Sequence, residues 1–305
     1  MDPVIVLFGL GVGVLVGMTG VGGGSLMTPL LILVFGIKPV TAVGTDLAYG
    51  AVTKTVGGWR HMRYRTVDTS ISWWMGFGSV PAAVGGVYVL HLVEHAVGKQ
   101  FDKWMLAVVA AALLVTGVSV LARALLLPRM AERDRVPLTR RNKISAVVLG
   151  AFVGFVLGIT SAGSGSLIAV GLIILFRLAP KQVVATDIFH AAILLWAAAI
   201  AHIVAGNVDY ALAGTILLGS IPGVWIGSSF SSRVQPSTLR LALAIVLIGG
   251  GLGLLSKAGA AIPAAVIAAV PVLLAVVVVL RERSTRARAR RALADPLTRS
   301  ATSAT

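Results

Sequence analysis

The chain has 305 residues, 57% of them hydrophobic and 12% charged, with a mean hydropathy of +0.94. An ordinary soluble domain carries about a quarter charged residues, so that class is excluded. The formal net charge of +15 raises nucleic acid as a partner. The basic residues, however, fall in short loops and a tail between apolar runs, which excludes that reading and fits membrane orientation.

There is no cysteine, so disulfides and thiolate metal sites are excluded. The apolar N-terminus lacks a basic leading region and a cleavage site, so no removed signal peptide is expected. The bias toward Ala, Gly, Val and Arg suggests a bacterial source.

In chain order, apolar segments lie near 8–36, 40–59, 70–93, 104–127, 144–176, 183–204, 210–231, 239–255 and 262–280. Runs of about 20 apolar residues indicate transmembrane helices. A basic connector occupies 128–143, and an arginine-rich tail, expected to be disordered, follows 280. Two segments, 8–36 and 144–176, are overlong: about 30 residues make roughly 45 Å of helix against about 30 Å of hydrocarbon. Each is interrupted by glycine, at Gly17-Met18-Thr19-Gly20-Val21-Gly22-Gly23-Gly24-Ser25 and at Gly158-Ile159-Thr160-Ser161-Ala162-Gly163-Ser164-Gly165-Ser166. Halves of about 11 residues are too short to span, which predicts two re-entrant hairpins.

The two breaks are copies in one register, 141 residues apart. Gly13 falls on Gly154, Gly22 on Gly163, Ser25 on Ser166, Thr45 and Asp46 on Thr186 and Asp187, His61 on His202, and Asp68 on Asp209. Such a repeat organises the whole reading. With both long segments as hairpins and the tail inside, 21 of the 26 Lys and Arg residues face the cytoplasm and 4 face outward. Lys54 is left within the membrane. Full crossings would split them 14 to 11, so the positive-inside rule prefers hairpins. A hairpin plus three spans crosses an odd number of times, so the second repeat is inverted.

The expected fold is therefore an all-α polytopic membrane protein. It has two inverted-topology repeats, each a glycine-broken re-entrant helical hairpin plus three transmembrane helices, with an extra C-terminal helix. The divisions are 1–127 (repeat 1), 128–143 (cytoplasmic connector), 144–255 (repeat 2), 256–280 (additional helix) and 281–305 (cytoplasmic tail). Inverted repeats with broken helices are a common build of secondary transporters, with substrate near the midplane.

Non-helical backbone at membrane depth persists only against protein or a water-filled cavity. The helices resuming near Ser25 and Ser166 present free N–H groups and the positive ends of their dipoles. Glycine allows close approach, and serine caps the helix or adds a donor. This makes Gly22, Gly23, Gly24, Ser25, Gly163, Ser164, Gly165 and Ser166 candidates for binding a small anion. The competing reading is that the glycines only let helices pack closely. Thr45, Thr186 and the intramembrane Lys54 join the candidate substrate site. Asp46, Asp187, His190 and His202 are the candidates for handling a coupling proton, because ionisable groups in a span are costly and usually functional. Asp46, Gly50 and Lys54 fall on one helical face, sharing a polar cavity. The competing reading is that these groups satisfy one another and hold helices together. His61, beside Arg60 at a helix end, reads as interfacial. Gly78-Ser79-Val80-Pro81 and Gly219-Ser220-Ile221-Pro222 are expected to kink the third span of each repeat.

Several stretches resemble the sulfite exporter TauE/SafE family of membrane permeases. They are Gly20-Val21-Gly22-Gly23-Gly24-Ser25 with Pro29, Ala42-Val43-Gly44-Thr45-Asp46-Leu47 and Thr53-Lys54. In the second half they are Gly163-Ser164-Gly165-Ser166, Ala185-Thr186-Asp187 and Gly206-Asn207-Val208-Asp209. The resemblance covers roughly 5–255; the segment 262–280 and the tail lie beyond the usual core. It implies export, and sometimes uptake, of sulfite or organosulfur anions such as sulfonates.

The combined expectation is a secondary transporter, an exporter, of a small anion in the bacterial inner membrane, multi-pass, with its C-terminus cytoplasmic. The membrane potential, about 2.3 kcal/mol per charge per 100 mV, drives anion export, and import requires coupling. The expected partners are the anion, the lipid bilayer and protons as coupling ion; no cofactor, metal or catalytic residue is assigned, and the oligomeric state is not read. One rival is an anion channel, which shares every static feature. Another is an intramembrane hydrolase using Asp187, His190 and His202, disfavoured because neither His-Glu-x-x-His nor Gly-x-Ser-x-Gly occurs.

Overall fold

A computed structural model describes residues 3–19, 24–64, 67–126, 136–137, 139–163, 165–231 and 236–277. Residues Met1–Ile262 form one compact unit. Its helices are α1 (Pro3–Thr19), α2 (Gly24–Leu33), α3 (Pro39–Arg63), α4 (Thr69–Val97), α5 (Phe101–Leu126), α6 (Arg140–Thr160), α7 (Leu167–Phe176), α8 (Pro180–Val204), α9 (Tyr210–Ser231) and α10 (Pro236–Lys257). A single 3-10 turn, Gly98–Gln100, joins α4 to α5. A further helix, α11 (Ala264–Val277), belongs to a second unit, Pro263–Thr305. The tail expected over 281–305 lies outside the described residues.

The described structure is helical, as hydrocarbon demands: a helix satisfies its backbone groups internally, which lipid cannot do for it. Among the described residues, four stretches are long and apolar enough to cross a membrane: Thr69–Ala122, Arg140–Thr160, Gln182–Val204 and Tyr210–Ser229. Large apolar side chains such as Leu7, Phe77, Tyr88, Phe152 and Trp225 face outward. That is the expected surface of a protein whose solvent is lipid.

Small residues set the helix pairing. On α6, Gly150, Gly154 and Gly158 lie against the backbone of Met75, Ser79 and Ala83 on α4. On α1, Gly9, Gly13 and Gly17 lie against Ile216, Ser220 and Val224 on α9. At each of these glycines an added Cβ would meet a backbone carbonyl well inside van der Waals distance. The two series are the same contact with partners exchanged, displaced by the 141-residue register. In both pairs the residue numbers rise together, so α1 runs parallel to α9 and α6 parallel to α4. By contrast α3 and α8 are antiparallel: Gly44 faces Asn207, Gly50 faces Leu195 and Gly57 faces Ile188.

One sequence expectation is corrected. The breaks are not central: the leading halves α1 and α6 have 17 and 21 residues, while the returning halves α2 and α7 have 10 each. At 1.5 Å per residue α6 is about 31 Å long, enough to cross the hydrocarbon, and α7 only about 15 Å. The apolar count missed this because helix α6 begins in the basic connector, at Arg140, and α1 begins at Pro3. Helices α4 and α9 each contain an internal proline, Pro81 and Pro222. Their Gly78 and Gly219 meet the backbones of Val147 and Val6, so the glycines of the Gly-Ser-x-Pro motifs serve close packing.

Candidate functional site

The second break is built by two left-handed residues. Helix α6 ends at Thr160, and Ser161 caps it with φ 57°, its N–H donating to the Leu157 carbonyl. Gly163 follows at φ 103°. Its carbonyl accepts from the N–H groups of Ser166 and Leu167 at 3.3 and 3.0 Å. The first bond of α7 runs from Val170 N–H to the Ser166 carbonyl at 2.8 Å. Helix geometry therefore leaves the amides of Ile168 and Ala169 without an intrahelical acceptor. Gly165 and Ser166 are buried in this turn.

Ser166 was expected to cap α7, and it does not: it occupies the capping position, but its side chain makes no capping bond. A capping residue needs extended backbone, whereas Ser166 has φ −116° and ψ −49°. Its hydroxyl is buried with no hydrogen-bond partner. The candidates Gly22, Gly23 and Ser164 lie outside the described residues. Gly24 opens α2, and Ser25 sits in its first turn.

The two broken segments meet. Thr28 on α2 and Ser161 in the second break lie 2.6 Å apart, oxygen to oxygen. Both lie at hydrogen-bond distance from Asp46 Oδ2 on α3, Thr28 Oγ1 at 2.7 Å and Ser161 Oγ at 2.8 Å. All three residues are buried. Asp46 Oδ1 has no partner. Sequence reasoning named Asp46 but missed Thr28 and Ser161.

Lys54, two helical turns on from Asp46, is 7% exposed and interacts electrostatically with Asp187 across the α3–α8 seam. His190 is fully buried; its Nδ1 donates to the Ser72 carbonyl at 3.2 Å, and its Nε2 has no partner.

His202 lies elsewhere. Its Nε2 donates to the Gly158 carbonyl at 2.8 Å, and its Nδ1 accepts from Asn207 Nδ2 at 3.4 Å. The ring thereby satisfies a carbonyl in the last turn of α6, a group the broken helix leaves without an amide partner.

Thr45 and Thr186 also have structural partners. Thr45 Oγ1 accepts from Asp209 N–H, and Thr186 Oγ1 accepts from Asp68 N–H, each at 3.0 Å. Asp209 in turn accepts from Leu212 N–H at 2.9 Å, and Asp68 from Ile71 N–H at 3.1 Å, capping α9 and α4. Each threonine holds the helix start of the opposite half. Sequence reasoning aligned these four residues but did not pair them. His61, expected at the interface, is partly buried in the last turn of α3. Among the described residues, no group of three or more His, Asp or Glu side chains is placed to hold a metal ion.

Comparison with known proteins agrees on class. Residues 5–254 match the family model described as sulfite exporter TauE/SafE. The chain is 42% identical over 260 residues to the probable membrane transporter protein YjnA of Bacillus subtilis, covering 84% of this chain and all of that protein. It is 29% identical to the probable membrane transporter protein YdhB of the same organism, over 83% of this chain and 98% of that one. It is 23% identical to the probable membrane transporter protein MJ0441 of Methanocaldococcus jannaschii, over 80% of this chain and 92% of that one. No solved structure matches.

Proposed function

The chain belongs to the sulfite exporter TauE/SafE family of membrane transporters, and from that premise we propose that it is a secondary transporter of a small anion, sulfite or an organosulfonate, working as an exporter. The anion binds near the midplane, where the returning half of the first broken segment meets the second break. The observation that carries this reading is the 2.6 Å contact between Thr28 and Ser161. It brings the returning half of one broken segment onto the break of the other. In the same break as Ser161 are the buried hydroxyl of Ser166, without a hydrogen-bond partner among the described residues, and the start of α7. Amides at a helix start and a free hydroxyl suit an anion.

The site comprises Ser166, Gly163 and Gly165, with Gly22, Gly23, Gly24, Ser25 and Ser164 completing the two breaks. Lys54 supplies the positive charge that makes the path attractive to an anion. Thr45 and Thr186 frame it from the opposite helix starts.

The proposed architecture is two inverted repeats, 1–127 and 144–255, each with a re-entrant broken segment. The exchanged glycine contacts support it. So do the helix directions: α6 and α8 both run with α4, as their starts and the His190–Ser72 bond indicate. The chain therefore has to double back between α6 and α8, and α7 is the return. The distribution of basic residues supports a connector and C-terminus on the cytoplasmic side of a bacterial inner membrane.

The test is flux in proteoliposomes loaded with sulfite, sulfate, sulfoacetate or taurine under an imposed potential and then a pH gradient. Saturable sulfite or sulfonate flux, abolished by Ser166→Phe in folded protein, is the expected result. Normal flux in that variant removes the site from the second break. Folded protein that moves none of these anions removes the substrate class. Non-saturable flux without counterflow favours the channel.

A further inference from the structure

We infer that Asp46, among the four buried ionisable candidates, is the site of the coupling proton, and that its proton closes a latch between the two broken segments. The inference deepens the proposed transport reading and rests on it for its role in the cycle, but not for its chemistry.

The chemistry follows from counting hydrogens. Asp46 Oδ2, Thr28 Oγ1 and Ser161 Oγ form a triangle with edges of 2.7, 2.8 and 2.6 Å. All three edges are at the length of an O–H···O hydrogen bond. The two hydroxyls supply two hydrogens, and three edges need three. With an ionised carboxylate one edge has none, and two oxygen lone pairs face each other at contact distance. A proton on Asp46 completes the ring, with each oxygen donating once and accepting once.

The other carboxyl oxygen agrees with the proton count. Asp46 Oδ1 is buried and has no hydrogen-bond partner. A buried carboxylate is stable when its oxygens are solvated by donors, whereas the carbonyl oxygen of a neutral acid tolerates that isolation far better.

The backbone points the same way. Ser161 holds φ 57°, a left-handed conformation uncommon for a residue with a side chain. The aligned position in the first repeat is Gly20, the residue that conformation prefers. Serine stands there at a cost in backbone strain, and what it supplies is the hydroxyl on Asp46. Strain held in this way marks functional positions.

The two aligned aspartates differ for identifiable reasons. Thr28 aligns with Ala169 and Ser161 with Gly20, so the aligned positions offer Asp187 neither of the hydroxyls that meet Asp46. Asp187 instead interacts with Lys54, whose aligned residue is Leu195. One aspartate sits among neutral donors and the other beside a cation. Environments that push two like groups apart assign them different roles. Asp187 is the fixed countercharge of Lys54, and Asp46 is the group that gains and loses the proton.

The charged and titratable groups around Asp46 are few. On α3 itself these are Tyr49 one turn on and Lys54 two turns on. Helix α8 contributes Asp187, His190 and His202, the last already bonded to Gly158. Helices α2 and α7 carry none, and Lys257 of α10 donates to the Ile32 carbonyl at the far end of α2. Tyr210 of α9 is exposed, and α5 carries Asp102 and Lys103 in its first turn, both exposed. No cation among the described residues touches the ring. When the Asp46 O–H breaks and its proton passes to water on the open side, one edge of the triangle becomes repulsive. Helix α2 is then released from the second break.

The experiment is infrared difference spectroscopy of the purified full-length protein in lipid, read at the carbonyl stretch of a neutral carboxylic acid. Wild type is expected to show a buried acid band that is lost in Asp46→Asn and retained in Asp187→Asn. Ser161→Gly suits the left-handed backbone and therefore folds; it is expected to keep the band but shift its frequency, because one hydrogen bond is gone. In proteoliposomes Asp46→Asn is expected to lose the response of flux to an imposed pH gradient. A wild-type protein with no acid band, or one whose band survives in Asp46→Asn, overturns the inference. So does a gradient response that persists in Asp46→Asn. A band assigned to Asp46 in a protein that moves no sulfite or sulfonate leaves the proton site standing and overturns only the substrate reading.

Discussion

Thr28 and Ser161 are 133 positions apart in the chain, and their hydroxyl oxygens lie 2.6 Å from each other over the carboxyl of Asp46. This contact joins three elements: the returning half-helix α2, the helix α3 and the break between α6 and α7. It is the point where the two broken segments are held to one another.

Removing one corner of the triangle is expected to be costly. Thr28→Val keeps the shape of the side chain and deletes its hydroxyl. The loss leaves a buried carboxyl oxygen with one donor fewer, worth about 1–3 kcal/mol. Thermal unfolding in detergent or lipid checks it. A midpoint equal to that of wild type refutes the contact.

The exchanged glycine contacts make a paired prediction. Gly13→Ala and Gly154→Ala place a methyl against the backbones of Ser220 and Ser79 respectively, and both are expected to destabilise by similar amounts. Overpacking of this kind costs typically about 1–3 kcal/mol, and rigid backbone on the far side favours the upper end. Gly11→Ala, with open space around it, is expected to be neutral. Unequal effects of the first two would break the equivalence of the two halves.

Lys54 and Asp187 are expected to be coupled. Lys54→Leu leaves Asp187 without its cation at depth, and breaking a buried pair costs about 3–5 kcal/mol. The double variant Lys54→Leu, Asp187→Asn is expected to recover most of that loss, since residue 54 then matches its repeat partner Leu195. Under the proposed function the double variant is stable but does not carry anions. Recovery of transport together with stability would remove Lys54 from the anion path.

His202 is expected to behave as a structural residue. His202→Phe deprives the Gly158 carbonyl of its donor and is expected to cost about 1–3 kcal/mol. The dependence of flux on pH, measured on folded protein, is expected to stay as in wild type. A displaced pH profile in this variant would return His202 to the proton path.

Sequence by itself determined the class, an internal register of 141 residues and the presence of the breaks. Those depend on local properties: runs of apolar residues, the conformational freedom of glycine, and self-similarity along the chain. It placed Asp46, Lys54, Asp187, His190 and His202 in apolar helical segments because hydropathy is also local. It missed the lengths of α1 and α6, since helix starts are decided by capping and by loops. Thr139, whose hydroxyl accepts from Asn142 N–H, starts α6 before the apolar run begins.

Only the tertiary structure decided which polar group meets which. Thr45 with Asp209, Thr186 with Asp68, and His202 with Gly158 are bonds across the fold, fixed by where glycine-lined helices let their backbones approach. The Asp46 ring was partly legible in the places where the two repeats disagree: Thr28 against Ala169, Ser161 against Gly20 and Lys54 against Leu195. Agreement between repeats marks what both halves need to fold. A lone polar residue opposite a small or apolar one marks where the halves differ, and the distances that turn such a residue into a site exist only once the helices have packed.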